Sequence, residues 1–189
     1  MIKSDCLGND SVQFGCDNTL PQVVISRGNP CSRLMLIGEA PGAMEDTLGK
    51  PFVGRSGKLL DQLLEKVGID YENDIYISNL VKCRPPKNRR PTKSEITSHL
   101  PWLLLQIKLI QPYVLVFAGS TVLQTFLGMR TKITQLRGSW QNWNGIAAMP
   151  IYHPSYLLRN PSRAEGAPFD LTRLDLAEVK KKWMLLSHF

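Results

Sequence analysis

The chain has 189 residues, of which 43% are hydrophobic and 21% are charged, and its formal net charge is +7. This composition allows a folded core and excludes a globally disordered chain. The sequence contains no run of about 18 apolar residues, which excludes an ordinary membrane-spanning helix, and the positive charge favours an anionic partner.

The cysteine content and the chain length set further expectations. Four cysteines are too few for a disulfide framework in a chain of this size, and the first residues lack the apolar core of a signal peptide. We therefore expect an intracellular, cytoplasmic protein that does not enter a membrane and that acts as a monomer. The length fits one domain over residues 1–189, beginning with an irregular segment over residues 1–22.

Apolar runs and helical spacings alternate along the chain. After Val23-Val24-Ile25, residues 26–30 have the composition of a turn. Buried strands are predicted at residues 34–37, 74–81, 113–118 and 147–152. Helices are predicted at residues 56–68, 92–110, 120–127 and 170–186. Pro101 should kink or divide the second of these helices, and Ser120 should cap the third.

This alternation of strands and helices predicts the fold class. It indicates an α/β protein with three layers, α/β/α, around a central four-stranded, mainly parallel sheet. In such sheets ligands bind at the carboxyl ends of the strands. The polar motifs of this sequence follow the predicted strands, so we expect one site at that edge.

The first motif is Gly38-Glu39-Ala40-Pro41-Gly42, which follows the first predicted strand. Its glycines let the backbone approach a ligand closely, and its proline stiffens the loop. Downstream, Glu45 offers a second carboxylate beside that of Glu39, and such groups can orient water or accept hydrogen bonds. Phe52 can stack on a base, which is worth about 1–3 kcal/mol. Each feature taken alone is also what an ordinary turn or a core aromatic would give.

Two more polar groups follow later strands. Asn79 offers a donor and an acceptor side by side, which suits the edge of a base. His153 can hydrogen-bond a carbonyl oxygen that gains charge, and Ser155 can hold a phosphate. Leu157 or Leu158 can enter a base stack as a wedge. A lone Asn is more often satisfied by backbone and a lone His is more often structural, so only the combination favours a functional site.

In order and spacing, these motifs resemble the uracil-DNA glycosylase superfamily, and most of all its family 4, the iron-sulfur branch of bacteria and archaea. The resemblance runs from about residue 23 to residue 161 and is carried by residues 38–42, 45–46, 51–54, 78–79, 82–89 and 153–155. It implies a monofunctional glycosylase that hydrolyses the N-glycosidic bond of a flipped-out uracil in DNA and so initiates base excision repair. Uracil-containing DNA is the implied partner.

The resemblance also implies a role for each matching residue. Phe52 would stack on the flipped uracil, Asn79 would read its imide edge, and Glu45 would lie near C5 and exclude the methyl group of thymine. His153 would stabilise the uracil anion, and Glu39 would orient the attacking water. The residues implied to contact DNA or fill the vacated base position are Pro41, Arg84, Arg89, Ser155, Leu157, Leu158 and Arg159, with Lys82, Lys87, Arg90 and Arg137 as further basic candidates.

The sequence departs from family 4 at the cofactor ligands. Members of that family hold a 4Fe-4S cluster through four cysteines. Cys83 matches the third position, whereas His99 stands at the fourth, and Cys6 and Cys16 are ten residues apart instead of closely spaced. One hypothesis is that these four residues together hold a cluster. The alternative, which we favour, is that the cluster has been lost or modified. The glycosylase chemistry itself needs no cofactor.

Two other hypotheses stay open at this point. One is a related glycosylase whose main substrate is another deaminated base such as hypoxanthine, although Glu45 and Asn79 favour uracil. The other is a non-catalytic protein that binds uracil-containing DNA, which the altered cluster ligands suggest. The second hypothesis is opposed by the presence of all five implied site residues, because a protein without turnover has no reason to keep the full set: Glu39, Glu45, Phe52, Asn79 and His153.

Overall fold

The computed structural model describes residues 22–128 and 132–187. Its strands are β1 Ser26–Gly28, β2 Leu34–Gly38, β3 Tyr76–Asn79, β4 Val114–Ala118, β5 Gln141–Trp143 and β6 Ile146–Ile151. Its helices are α1 Ala43–Leu48, α2 Arg55–Lys66, α3 Lys93–Ile110, α4 Ser120–Leu127, α5 Ile133–Leu136, α6 Pro154–Arg159 and α7 Pro168–Ser187, with a short 3-10 helix at Pro86–Asn88. Of the helices in these ranges, none is long and apolar enough to cross a membrane.

The strands form one mixed sheet in the order β1-β3-β2-β4-β6-β5. The pairs β3-β2, β2-β4 and β4-β6 are parallel, and β1 and β5 are antiparallel strands at the two edges. The predicted α/β fold with four central parallel strands is thus confirmed, and each predicted element ends within two residues of the observed one. The sheet has six strands and not four. The sequence does not reveal the two edge strands, because each is only three residues long and carries no apolar run.

One edge strand corrects the sequence interpretation directly. β1 lies inside residues 26–30, which have the composition of a turn. It is stabilised by backbone pairing with β3 and not by buried side chains, since its residues are half-buried or exposed. A strand of this kind leaves no hydrophobic signal in the sequence.

Both faces of the sheet are covered by helices. Alternate strand residues such as Leu34 and Leu36 face one core, which α2, α6 and α7 complete. The intervening residues, such as Met35 and Ile37, face a second core completed by α3 and α4. Because both faces are buried, the central strands read as continuous apolar runs.

Two helix predictions need correction. α3 is not divided at Pro101: it continues as one helix, with Pro101 on its exposed side, so the carbonyl group that loses its partner can be hydrated. Its start is fixed by Thr92, whose hydroxyl accepts from the amide of Glu95. α4 is capped by Gly119 and not by Ser120, which is its first helical residue.

Candidate active site

The carboxyl ends of the four parallel strands open into a cavity of about 590 Å³. Each strand places one polar side chain on its wall. These side chains are Glu39 after β2, Asn79 at the end of β3, Ser120 after β4 and His153 after β6. Parallel strands end at the same edge of a sheet, so residues far apart in sequence converge here. The volume suits a small organic group.

Asn79 is buried on this wall, with an exposed fraction of 2%. Its Oδ1 has no hydrogen-bond partner among the described residues. Gly38 permits this arrangement, because a Cβ at that position would lie 2.5 Å from Oδ1 and would overlap the ring of Phe52. An unsatisfied buried acceptor costs about 1–3 kcal/mol. The fold therefore does not use this oxygen, and it is available to a ligand.

Phe52 forms an adjoining wall in a strained backbone conformation. Its φ of 55° lies in the left-handed region that non-glycine residues rarely adopt. The ring is 5% exposed, and its centroid is 5.9 Å from that of His153, with the planes tilted by 34°. Strain of this kind costs about 1–3 kcal/mol and persists only where the surroundings enforce it. The aromatic face is thus held in one place.

Glu45 is buried beside the loop that carries Phe52. One carboxylate oxygen accepts from the amide of Gly42 at 3.1 Å. The other accepts from the amides of Val53 at 3.0 Å and Gly54 at 2.8 Å. The carboxylate therefore joins the start of α1 to the loop before α2, and it forms a rigid polar part of the cavity wall.

His153 caps α6, and its hydrogen bonds define its tautomer. The amide of Ser155 donates to Nδ1 at 3.2 Å, and the hydroxyl of Ser155 lies 2.8 Å from the same nitrogen. Since Nδ1 is the acceptor, the ring hydrogen is on Nε2. Burial and, to a smaller extent, the charge of Arg159 lower the pKa of His153 to about 4, although the charge of Glu45 opposes the shift. At neutral pH the ring is uncharged and has one donor.

Glu39 and Pro41 line the cavity on the β2 side. Glu39 is half-buried, and its carbonyl accepts from the amide of Val81 at 3.2 Å. Its carboxylate makes no hydrogen bond or ion pair within the described part of the chain, so it can act on a ligand or a water. Pro41 is buried and keeps the loop close to the strand ends.

Basic residues of the loop after β3 lie near the mouth of the cavity, which Pro85 and Asn88 of the same loop line. Arg84 donates to the side chain of Asn88 at 2.7 Å and approaches the carboxylate of Asp46 at 3.7 Å. Asn88 and its neighbour Lys87 both have positive φ, 54° and 53°. Arg84 thus links α1 to a strained rim loop, and its guanidinium is partly neutralised.

The remaining rim arginines differ in how they are held. Arg89 forms two hydrogen bonds of 2.7 Å to the carboxylate of Glu95, and these hold the pKa of Glu95 at about 2. Arg90 and Arg159 are exposed at the rim, and both line the cavity. The accessible positive charge at the mouth therefore comes mainly from Arg90 and Arg159.

Two candidate DNA contacts prove to be buried, and a third is half-buried and ion-paired. Lys82 is 4% exposed and Leu157 is 2% exposed within the core. Arg137 is ion-paired with buried Asp175, its Nε donating to the carboxylate at 2.8 Å. Composition shows that a residue is basic or apolar but not which way it points. Leu158, at 37% exposure, is the neighbouring leucine that can enter a base stack.

The predicted cluster ligands are only partly present in the described residues. Cys83 and His99 are both buried, and Nδ1 of His99 accepts from the amide of Lys82 at 3.4 Å. Burial and the charge of Lys82 lower the pKa of His99, while Glu95 raises it. Cys6 and Cys16 lie outside the described residues. Within residues 22–128 and 132–187, no three His, Cys, Asp or Glu side chains gather as metal ligands. The described residues thus supply at most Cys83 and His99 of the four predicted ligands.

The sequence interpretation missed several residues of the cavity. The sequence indicates only a helix cap at Ser120, although this residue follows β4 and so obeys the same strand-end rule as the other site residues. Tyr152 immediately precedes His153 and could have been found by the same rule. The other missed residues are Ser56, Gly119, Ile133, Thr134 and Tyr156.

Comparisons with known proteins agree on one family. The family model described as the uracil DNA glycosylase superfamily matches residues 25–177. The type-4 uracil-DNA glycosylase of Thermotoga maritima is 45% identical over 161 residues, which cover 84% of this chain and 80% of the relative. That of Saccharolobus solfataricus is 42% identical, covering 73% and 68%. That of Archaeoglobus fulgidus is 36% identical, covering 92% of each chain.

Proposed function

Because the chain belongs to the uracil DNA glycosylase superfamily, we propose that it is a monofunctional uracil-DNA glycosylase that initiates base excision repair. The observation that carries the proposal is the buried amide of Asn79, whose oxygen accepts no hydrogen bond from any residue that the structure describes. An amide offers one acceptor for N3–H of uracil and one donor for O4. Cytosine presents the opposite order of donor and acceptor, so an amide held in one orientation distinguishes the two bases.

Phe52 and Glu45 complete base recognition. The buried ring of Phe52 offers a flat face on which the extruded uracil stacks. The carboxylate of Glu45 is fixed by three backbone amides, so it cannot move aside for a bulkier base. With C5 of uracil against it, the methyl group of thymine meets a rigid polar wall.

His153 and Glu39 carry the chemical step. As the glycosidic bond breaks, uracil leaves with the bonding electron pair and negative charge develops at O2. The neutral imidazole of His153 donates its Nε2 hydrogen to that oxygen and stabilises the anion. Glu39 orients a water whose oxygen bonds to C1′ of the sugar, and the released proton neutralises the departing base. None of these steps uses a metal cluster.

Extrusion of the base requires a grip on the DNA backbone. Taking a base out of the stack costs a few kcal/mol. Pro41 and Ser155 would press on the DNA backbone. Arg84 and the cavity-lining Arg89, Arg90 and Arg159 would hold phosphates, while Leu158 fills the vacated space. Genomic DNA as substrate supports the predicted intracellular, cytoplasmic location, and action as a monomer stays a prediction.

We propose further that this chain does not keep the cluster of the iron-sulfur branch. His99 stands where that branch has a cysteine, and Cys83 is the one cysteine near it among the described residues. Iron and sulfide analysis of anaerobically purified protein tests this point. Four irons per chain would contradict it.

The function is tested by incubating the protein with an oligonucleotide that carries one uracil, followed by alkali. We expect strand scission with uracil, little with thymine, and a large loss for His153→Ala. The same assay with oligonucleotides that carry hypoxanthine or xanthine tests whether another deaminated base is the main substrate. Tight binding of uracil-DNA without scission would favour the non-catalytic hypothesis over the enzyme.

A further inference from the structure

A buried lysine lies behind the carboxyl end of β3, outside the cavity lining. Lys82 is 4% exposed, and its ammonium donates to the hydroxyl of Ser78 at 2.7 Å. It also donates to the backbone carbonyl of Asn79 at 2.8 Å and to Oε1 of Gln106 at 2.5 Å. Three acceptors use all three hydrogens of an ammonium group. No carboxylate takes part, so neutral dipoles alone compensate the charge.

The acceptors around Lys82 are themselves held by further hydrogen bonds. The hydroxyl of Ser78 donates to the carbonyl of Ile25 at 2.7 Å. The amide of Gln106 donates to the hydroxyl of Tyr76 at 2.9 Å. The network therefore joins β3, the segment before β1 and helix α3 around a single charge.

Stability alone does not account for a lysine at this position. Burying an ammonium group without a counter-ion has a desolvation cost that neutral acceptors only partly offset, and apolar replacements of buried charges are often neutral or stabilising. A methionine would avoid the desolvation cost but would leave three buried acceptors without their donor. What the lysine provides at this position is therefore its hydrogen bonds to those acceptors, and its role follows from which groups they hold.

The contact with Asn79 indicates that role. The next two amides, of Leu80 and Val81, donate to the carbonyls of Gly38 at 2.8 Å and Glu39 at 3.2 Å. The chain then turns, and the side chain of Lys82 returns to the carbonyl of Asn79. Within residues 22–128 and 132–187 no hydrogen bond to Oδ1 holds the amide, so its orientation depends on the position of the Asn79 backbone and on packing.

We propose that Lys82 is a positioning residue for base recognition, whose ammonium clamps the carbonyl of Asn79 and so fixes the orientation of its side-chain amide. Lys82 does not touch the base and acts only through Asn79. This inference rests on the proposed function of the cavity, because it assigns Asn79 to reading uracil.

A double-mutant cycle tests the inference. Lys82→Met should lower kcat/KM on uracil-DNA by about tenfold or more, the range of one hydrogen bond to a charged group. Inhibition by free uracil should weaken in parallel. In an Asn79→Ala background, adding Lys82→Met should change kcat/KM by less than about twofold, since the residue through which it acts is gone. Equal losses in the two backgrounds would overturn the inference.

Two further variants separate positioning from folding. Ile107→Ala, a core change on the same helix as Gln106, should lower the melting temperature without changing kcat/KM below the transition. If Lys82→Met does not fold, Gln106→Leu removes one acceptor of the ammonium and should give a smaller loss that again disappears with Asn79→Ala.

A crystal structure of Lys82→Met separates this inference from the proposed function. We expect the Asn79 amide to be displaced or to occupy more than one orientation. An unchanged, single orientation would refute the role of Lys82 even in an active glycosylase. If instead the wild type releases no uracil, the proposed function fails, and the orientation of Asn79 in the variant still decides whether Lys82 positions it.

Discussion

Gly57 of α2 lies against the main chain of Phe52, so closely that a Cβ on Gly57 would overlap the Phe52 carbonyl. Phe52 has a φ of 55°, and the helix at its back enforces this conformation. A glycine that looks like a weak point within a helix is therefore what lets α2 hold the stacking face of the cavity.

Gly57→Ala should accordingly damage both stability and activity. The added methyl group must push Phe52 away from α2, which should cost about 1–3 kcal/mol of unfolding free energy. Because the ring moves as well, kcat/KM should fall at least tenfold. Denaturant unfolding and uracil-release kinetics measure the two effects. Gly128→Ala is the matched control: its φ is 60° with open space around it, so it should cost some stability and leave activity intact.

Asn79→Ala should separate activity from stability. The change removes a buried acceptor that no described residue satisfies, and this gain offsets the lost packing. We expect the unfolding free energy to stay within about 1 kcal/mol of wild type while kcat/KM falls a hundredfold or more. Thermal denaturation and oligonucleotide kinetics provide the readouts. A destabilisation of several kcal/mol with activity retained would show that the amide serves the fold.

Glu45→Gln should weaken the link between α1 and the Phe52 loop. The carboxylate accepts three backbone hydrogen bonds, whereas a glutamine amide must turn its NH₂ group toward at least one of those donors. We expect a loss of about 1–3 kcal/mol in stability. Activity should fall as well, because Val53 and Gly54 follow Phe52 directly. A variant as stable as wild type would show that the three bonds contribute little.

The pH dependence should reflect the low pKa of His153, about 4 in the folded protein against an ordinary 6.5. Between these values the unfolded state binds a proton that the folded state excludes. The contribution of His153 to the free energy of unfolding is therefore complete above pH 6.5. It declines by up to roughly 3 kcal/mol as the pH falls toward 4. Protonation places a hydrogen on Nδ1 against the Ser155 amide, so activity should fall with an apparent pKa near 4.

The charge of Arg159 provides a check on this assignment. Arg159 lowers the pKa of His153, so Arg159→Gln should move the acid limb of the pH–rate profile to higher pH. If the acid limb of the wild-type pH–rate profile lies near pH 6.5 and does not shift in Arg159→Gln, a group other than His153 controls the profile.

Leu157 and Leu158 form a matched pair for the wedge. Leu157→Ala empties a core site and should cost about 2–5 kcal/mol of stability. Leu158→Ala should leave stability within about 0.5 kcal/mol, because the side chain is exposed. It should lower activity on duplex DNA more than on single strands, where no base stack has to be filled. If Leu158→Ala lowered activity equally on duplex and single-stranded DNA, Leu158 would not be the side chain that enters the base stack.

Burial on both faces explains how well the central sheet follows from the sequence. Runs such as residues 34–37 and 113–118 are apolar throughout because helices cover both sides, and each therefore marks a strand. The edge strand β1 is held by backbone pairing with β3. Almost any residue type can form such pairing, so the composition of β1 can remain typical of a turn.

Residue type and order by themselves determined the family resemblance, the fold class and the strand-end positions of Glu39, Asn79 and His153. Tertiary structure alone decided direction and burial: Leu158 and not Leu157 faces outward, and Lys82 lies behind Asn79 and not on the DNA face. The physical reason is that an apolar pattern predicts which segments are buried strands or helices. The same basic side chain can be hydrated at the surface or enclosed in the interior, and its residue type does not distinguish the two. Which of these occurs depends on acceptors such as Gln106, which approach Lys82 only once α3 packs against the sheet.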